Sequence, residues 1–251
     1  MSKKQKQNFR KVIGIGLSIL FLITLASATK WAKYRNSFNL SKINIMGYNI
    51  LDKSDYEIIL SEFQIHSIND LKLRKISNRI EENPFVKATQ ISRQFPNIIN
   101  INIVERKPLA IINLKEQLMI DNEAYVLPNH TYSEKALIPV LSGFNSAKDL
   151  YPYGEQTFSI KVKEAISILN QLSKSYNQLY NNISEITLNK NDDYVLILSD
   201  KPTRVILGKK DILYKLNILK AFDESLGQRQ LTEFKLLDMR YDKQLVVREW
   251  T

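Results

Sequence analysis

The chain has 251 residues, no cysteine and a formal net charge of +10. Without cysteine there is no disulfide framework and no thiolate metal site, and the length allows one large domain or two small ones with adequate cores. The charge would suggest a nucleic-acid ligand if it covered a face, but Lys3, Lys4, Lys6, Arg10, Lys11, Lys30, Lys33 and Arg35 all precede the first acidic residue, Asp52. Beyond them stand 28 basic and 26 acidic side chains, so the body offers no phosphate-tracking surface and no nucleic-acid partner is expected. With only 7 Gly and 7 Pro, and no repeat, the chain reads as ordered.

From Val12 to Thr29 run 18 residues without a charge, VIGIGLSILFLITLASAT. As a helix they would span about 27 Å, close to the hydrocarbon thickness of a bilayer. Five positive charges precede this run and Trp31 and Tyr34 follow it at interfacial depth. The positive-inside rule therefore expects residues 1–11 as a cytoplasmic tail, 12–29 as a single transmembrane helix, 30–39 as a linker, and the body outside the cytoplasm. The competing reading is a signal peptide cleaved after Ala26-Ser27-Ala28, although the apolar run exceeds the length usual for such signals.

The first folded unit is expected over 40–107. Leu40 to Met46 reads as a strand ended by Gly47. A helix follows at Ser54, with Glu57 completing a capping box and Tyr56, Ile59, Leu60 and Phe63 on one face. Leu73, Ile76 and Ile80 mark a second helix that stops at Asn83-Pro84. Strands at Val86 to Ser92 and Ile98 to Glu105 then flank a turn at Gln94 to Asn97, with Ile99, Ile101 and Ile103 on one face and Asn100 and Asn102 on the other. The order is β-α-α-β-β. Arg93, Glu105 and Arg106 read as charges on the wet face of this sheet.

The second unit is expected over 108–251. Strands at Leu109 to Asn113, Leu118 to Asp121 and Tyr125 to Leu127 precede a helix marked by Val162, Ile166, Leu169 and Leu172. Strands follow at Ile183 to Leu188, Tyr194 to Leu198 and Arg204 to Leu207, then a helix with Ile212, Leu216, Leu219 and Phe222 inward. A closing hairpin places Phe234 to Arg240 and Leu245 to Glu249 about a turn at Asp242-Lys243-Gln244. The whole is an α+β chain in which the second unit carries a mainly antiparallel sheet.

Catalytic chemistry has little support. Gly208-Lys209 is no P-loop, because Thr203 stands where its first glycine is needed and Lys210 where a magnesium-binding hydroxyl belongs. His66 and His130 are far apart in sequence and read as ordinary surface or loop residues, no G-x-S-x-G elbow exists, and carboxylates are scattered. No catalytic residue, metal, cofactor or small-molecule substrate is expected. The last strand is more informative: at a sheet edge it would leave backbone groups free to accept another chain. Leu245, Val246, Val247, Arg248 and Trp250 on that strand, with Tyr241 before it, can supply apolar pockets and aromatic anchors, or the aromatics can simply seal the domain's end.

Particular blocks resemble a known family. INIMGYNILDKSDYEIIL resembles the motif, roughly V-x-G-N-x-x-L-S, that opens the POTRA domain of the FtsQ/DivIB bacterial division proteins. IEENPFVKATQISRQFPNIININIVERKPLAII resembles their next conserved stretch, with Asn83, Pro84, Val86, Lys87, Arg93, Pro96, Ile101, Val104, Glu105, Arg106, Pro108 and Ala110 in matching places and Phe85 where Trp is frequent. MIDNEAYVL, LIPVLSG, LGKKDILYKL and LLDMRYDKQLVV follow in the family's order. Ala124 replaces a usual Gly, which is expected to change the hairpin turn type. The short tail and the DMRY ending are closer to FtsQ than to DivIB.

The resemblance implies a POTRA domain at 40–107, a β domain at 108–251, and a non-enzymatic division scaffold in the bacterial inner membrane at the septum. It implies that Arg240, Tyr241, Val246, Val247 and Trp250 meet the small membrane proteins FtsB and FtsL by strand addition, and that the POTRA unit meets FtsK. The alternative is a POTRA-containing component of another envelope assembly or secretion system.

Overall fold

The computed structural model describes residues 3–34, 39–63, 68, 71–130, 137–241 and 244–250; His66 and the turn residues Asp242 and Lys243 fall outside them. The N-terminal helix α1 (Lys3–Tyr34) extends past both ends of the expected 12–29 span. Its stretch Ile13–Trp31 is long and apolar enough to cross a bilayer and is not buried by the rest of the protein. Three hydroxyls within it are satisfied by the helix itself. Ser18 donates to Gly14 O at 2.9 Å, Thr24 to Phe21 O at 2.8 Å and Thr29 to Ala26 O at 2.9 Å, as an environment without water requires.

Beyond α1 the residues gather into two compact units, the first ending with 40–80 and 88–104, the second comprising 81–87 and 105–251. The first is built from β1 (Lys42–Met46), α2 (Lys53–Ser61), α3 (Leu73–Glu81), β2 (Val86–Gln94) and β3 (Ile98–Glu105), the expected β-α-α-β-β order, with the sheet ordered β1-β3-β2. β1 lies parallel to β3 with Asn44 beside Asn100. Alternation divides the sheet. Ile99, Ile101 and Ile103 are buried, as are Tyr56 and Leu60 of α2 and Ile76 and Ile80 of α3, so one sheet face and one stripe of each helix share a core. The other face carries amides: Asn44 donates to Asn100 Oδ1 at 2.8 Å and Asn100 to Gln94 Oε1 at 3.0 Å.

Two local expectations are corrected here. α2 is capped by Asp52 rather than Ser54. The Asp55 carboxylate accepts from Asp52 N–H at 3.0 Å, so the reciprocal box is made by two aspartates one turn apart. Arg93 is not a wet-face charge, since its guanidinium donates to Ile68 O at 2.8 Å and Leu71 O at 2.6 Å and braces the approach to α3.

The second unit is one nine-stranded sheet, made by β4 (Pro108–Asn113), β5 (Gln117–Asp121), β6 (Val126–Leu127), β7 (Val140–Ser142), β8 (Ile183–Leu188), β9 (Tyr194–Leu198), β10 (Arg204–Gly208), β11 (Phe234–Asp238) and β12 (Val246–Glu249). Its order is β12-β11-β10-β9-β8-β7-β4-β5-β6. Pairing is mainly antiparallel, with parallel pairs at β11/β10, β8/β7 and β7/β4. The register aligns an unbroken apolar row across eight strands: Leu118, Ile112, Leu141, Ile186, Leu196, Val205, Leu237 and Val247. α4 (Ile160–Ser175) and α6 (Ile212–Ser225) share the same core through Val162, Ile166, Leu169, Leu172, Leu216 and Leu219. Ser159 caps α4, its hydroxyl accepting from Val162 N–H at 3.4 Å, and a short helix α5 (Asn177–Asn181) that periodicity did not indicate precedes β8.

Glu105 and Arg106 are each only 9% exposed, which overturns the wet-face reading. Arg106 donates to the Asp121 carboxylate at 2.8 Å and to Glu123 at 3.3 Å, and its guanidinium lies 3.5 Å from the centroid of the Tyr125 ring. Asp121 also accepts the backbone N–H of Glu123 and of Tyr125, both at 2.8 Å, so its lone pairs are used. Between them sits Ala124 at φ +65°, the left-handed conformation a glycine would hold. Replacing the usual glycine has therefore not moved this residue out of the turn geometry, because the Asp121 carboxylate fixes the backbone on both sides.

Two stability outcomes follow. Gly47 has φ +87° and a Cβ there would stand 2.0 Å from Ile103 O, so Gly47→Ala should cost about 2 kcal/mol or more, read as a lowered urea midpoint. Arg106→Met should cost about 3 kcal/mol by stranding the Asp121 charge, and adding Asp121→Asn should recover part of it, because the amide oxygen still accepts both N–H groups without carrying a buried charge.

Candidate protein-binding edge

β12 closes one end of the nine-stranded sheet and, among the described residues, pairs only with β11. Val246 lies opposite Asp238, Val247 opposite Leu237 and Arg248 opposite Leu236, and a bulge intervenes before Glu249 meets Phe234. The helices do not reach this far. Leu237, in the apolar row, is fully buried, yet the next member of that row, Val247, is 42% exposed. All four β12 residues, two valines followed by Arg248 and Glu249, are exposed, so the strand stands with both faces and its outer backbone edge uncovered among the described residues.

The far end of the strand is pinned, and at the other end the β11 segment before the hairpin turn is braced. Arg229 donates to Glu249 at 2.7 Å and to Glu233 at 2.9 Å, and Trp250 donates through Nε1 to Thr232 O at 3.1 Å while its ring lies 5.9 Å from Lys235 Nζ. At the other end Arg240 grips Asp238 through Nε and Nη2, the shortest contact 2.6 Å, and reaches Asp193 at 3.5 Å. That guanidinium holds the Asp238 carboxyl below the usual carboxylate range. A carboxylate depressed in the folded state contributes stability above its ordinary pKa, and the contribution fades as the pH falls through the lowered value.

The residues singled out from sequence thus divide. Tyr241, Val246, Val247, Arg248 and Trp250 are exposed at this one end of the sheet, Tyr241 the most at 54%. Leu245 is half-buried against the core, and the Arg240 head group is committed to Asp238, so these two position the strand. Arg229, Thr232 and Lys235 were not singled out, since they reach β12 from β11 and the turn before it and no local pattern announces that proximity. The Gly208-Lys209 segment is a strand-to-helix turn: Thr203 is buried and donates to Phe234 O at 2.6 Å, and Lys215 donates to Leu207 O at 2.7 Å. His130 stacks edgewise on Phe85, centroids 5.5 Å apart, and among the described residues no His, Asp and Glu group of three could hold a metal.

A family profile described as FtsQ/DivIB, C-terminal related matches residues 107–248, and one described as POTRA domain, FtsQ-type matches residues 38–106. The cell division protein FtsQ of Geotalea daltonii is 25% identical over 215 residues, covering 84% of this chain and 76% of that protein. The FtsQ of Syntrophotalea carbinolica is 26% identical over 182 residues, covering 72% and 64% respectively. That of Rickettsia typhi is 34% identical over 89 residues, covering 35% and 34%. With the two matched spans together covering residues 38–248, the chain belongs to the FtsQ/DivIB family of bacterial cell division proteins.

Proposed function

We propose that this chain is a non-catalytic scaffold of the division machinery, anchored in the inner membrane by α1, that receives a strand of a partner protein along the outer edge of β12. The observation that carries the reading is the mismatch at Val247: an apolar row buried throughout the sheet runs out from under its helices one strand before the sheet ends. A visiting strand would complete both the backbone ladder and the apolar cover. Tyr241 and Trp250, aromatic and exposed beside it, are the residue types that anchor such contacts. By family resemblance the visiting strand belongs to FtsB, with FtsL beside it, and the first unit meets FtsK at the septum. The five basic residues ahead of the apolar stretch Ile13–Trp31 support, by the positive-inside rule, an N-terminus in the cytoplasm and the two units on the far side of the bilayer.

Consecutive N–H groups of a strand point to opposite edges, so one of Val246→Pro and Val247→Pro removes a donor from the outer edge. That variant, and Tyr241→Glu, should lose at least about tenfold in capture of FtsB in a pull-down, a loss of roughly 1.4 kcal/mol, with unchanged far-UV circular dichroism. Undiminished capture by all three would reject the docking edge. Orientation is tested by single cysteines, since the chain has none. In intact spheroplasts a membrane-impermeant maleimide should label Ser199→Cys and leave Ser2→Cys unlabelled.

A further inference from the structure

The face of the sheet opposite the apolar row carries its own cross-strand row. Leu127, Met119, Ile111, Val140, Glu185, Ile197, Arg204, Leu236 and Arg248 are aligned across all nine strands. Residues in such a row point to the same side of the sheet. The row is fully buried at Leu127 and Met119, half-buried through Ile197, and exposed at Arg204 and Arg248. Neither of those guanidinium groups has an ion pair among the described residues. Of the carboxylates close by, Glu249 is engaged with Arg229 and Asp238 with Arg240, while Glu185, which accepts from the hydroxyl of Ser142, keeps its charge two strands in from Arg204. The β12 end of this face is therefore an Arg-Leu-Arg step whose outermost charge, Arg248, has no ion pair among the described residues.

We propose that the strand received by β12 is an alternating acidic and apolar segment, with a carboxylate beside Arg248 on the open face and an aliphatic side chain beside Val247 on the helix side. The inference rests on the docking reading above and adds the chemistry of the partner. Neighbouring strands are about 4.8 Å apart, so the in-line residue of a visiting strand lies within side-chain reach of Arg248, with Arg204 two strands further in adding to the field. A lysine or arginine in that place would meet like charge directly opposite, which destabilises strand pairing. The next residue of the visitor points to the helix side, where Val247 is apolar and exposed, so alternation is imposed by the two rows together.

The test uses the full chain in detergent and two labelled ten-residue peptides, one alternating Val with Glu and the other alternating Val with Lys, measured by fluorescence anisotropy. The Val/Glu peptide should bind at least about fivefold more tightly, with the difference shrinking as salt is raised. The double variant Arg204→Glu with Arg248→Glu should reverse the preference while leaving the melting temperature of the chain unchanged. If both peptides bind equally and the double variant alters neither, while Val246→Pro or Val247→Pro abolishes binding of both, strand docking stands and the acidic preference is overturned. If neither peptide binds the wild-type chain, the docking edge falls and the partner chemistry falls with it.

Discussion

The second unit depends on one line of contact: the apolar row from Leu118 to Val247, pressed beneath α4 and α6. Each fully buried aliphatic in it contributes about 1.5–3 kcal/mol relative to exposure. The row also fixes register, because a shift of one residue in any strand would turn its aliphatic away from the helices and bring a Glu185 or an Arg204 under them. Strand order, helix placement and the exposure of β12 are all consequences of where that row is covered and where it is not.

An apolar membrane-length helix and a packed sheet place different demands on the chain, and it separates them. α1 turns the hydroxyls of Ser18, Thr24 and Thr29 onto its own backbone and exposes apolar side chains all round, which suits lipid. The sheet does the opposite, burying a continuous aliphatic row beneath its helices and placing Glu185, Arg204 and Arg248 on its other face. The charged core around Arg106, Asp121 and Tyr125 gives the turn at Ala124 a rigidity that hydrophobic packing does not supply, since each of its bonds has a direction.

Much of this was legible wherever pattern and burial coincide. The alternation of Ile99, Ile101 and Ile103 located β3 to the residue, and the runs Ile183–Leu188 and Tyr194–Leu198 are strands with the expected bounds. Period-two patterning reports a face, not a neighbour. The parallel pairing of β10 with β11 and the insertion of β7 between β4 and β8 were therefore invisible, as was the reach of Arg229 to Glu249. Charge misled at Arg106 because its burial is matched by Asp121 and Tyr125, residues that no local pattern sets beside it. At the C-terminal edge the exposed residues Tyr241, Val246 and Val247 were named from composition and resemblance, whereas the pairing of Arg240 with Asp238, which turns it into a brace, needed coordinates.

The open flank of β12 also bears on how much of this protein a cell can tolerate. Tethering by α1 would confine every copy to a thin layer with the same end up, where collisions between copies are far more frequent than in free solution. An exposed strand edge is a template for its own kind as well as for a partner, and two such edges can join about a twofold axis. Surplus chains without partners would then be drawn into unproductive pairs. Were β12 to receive a partner strand as proposed, synthesis matched to that of the partner, or removal of the excess, would be the cost of keeping such an edge ready.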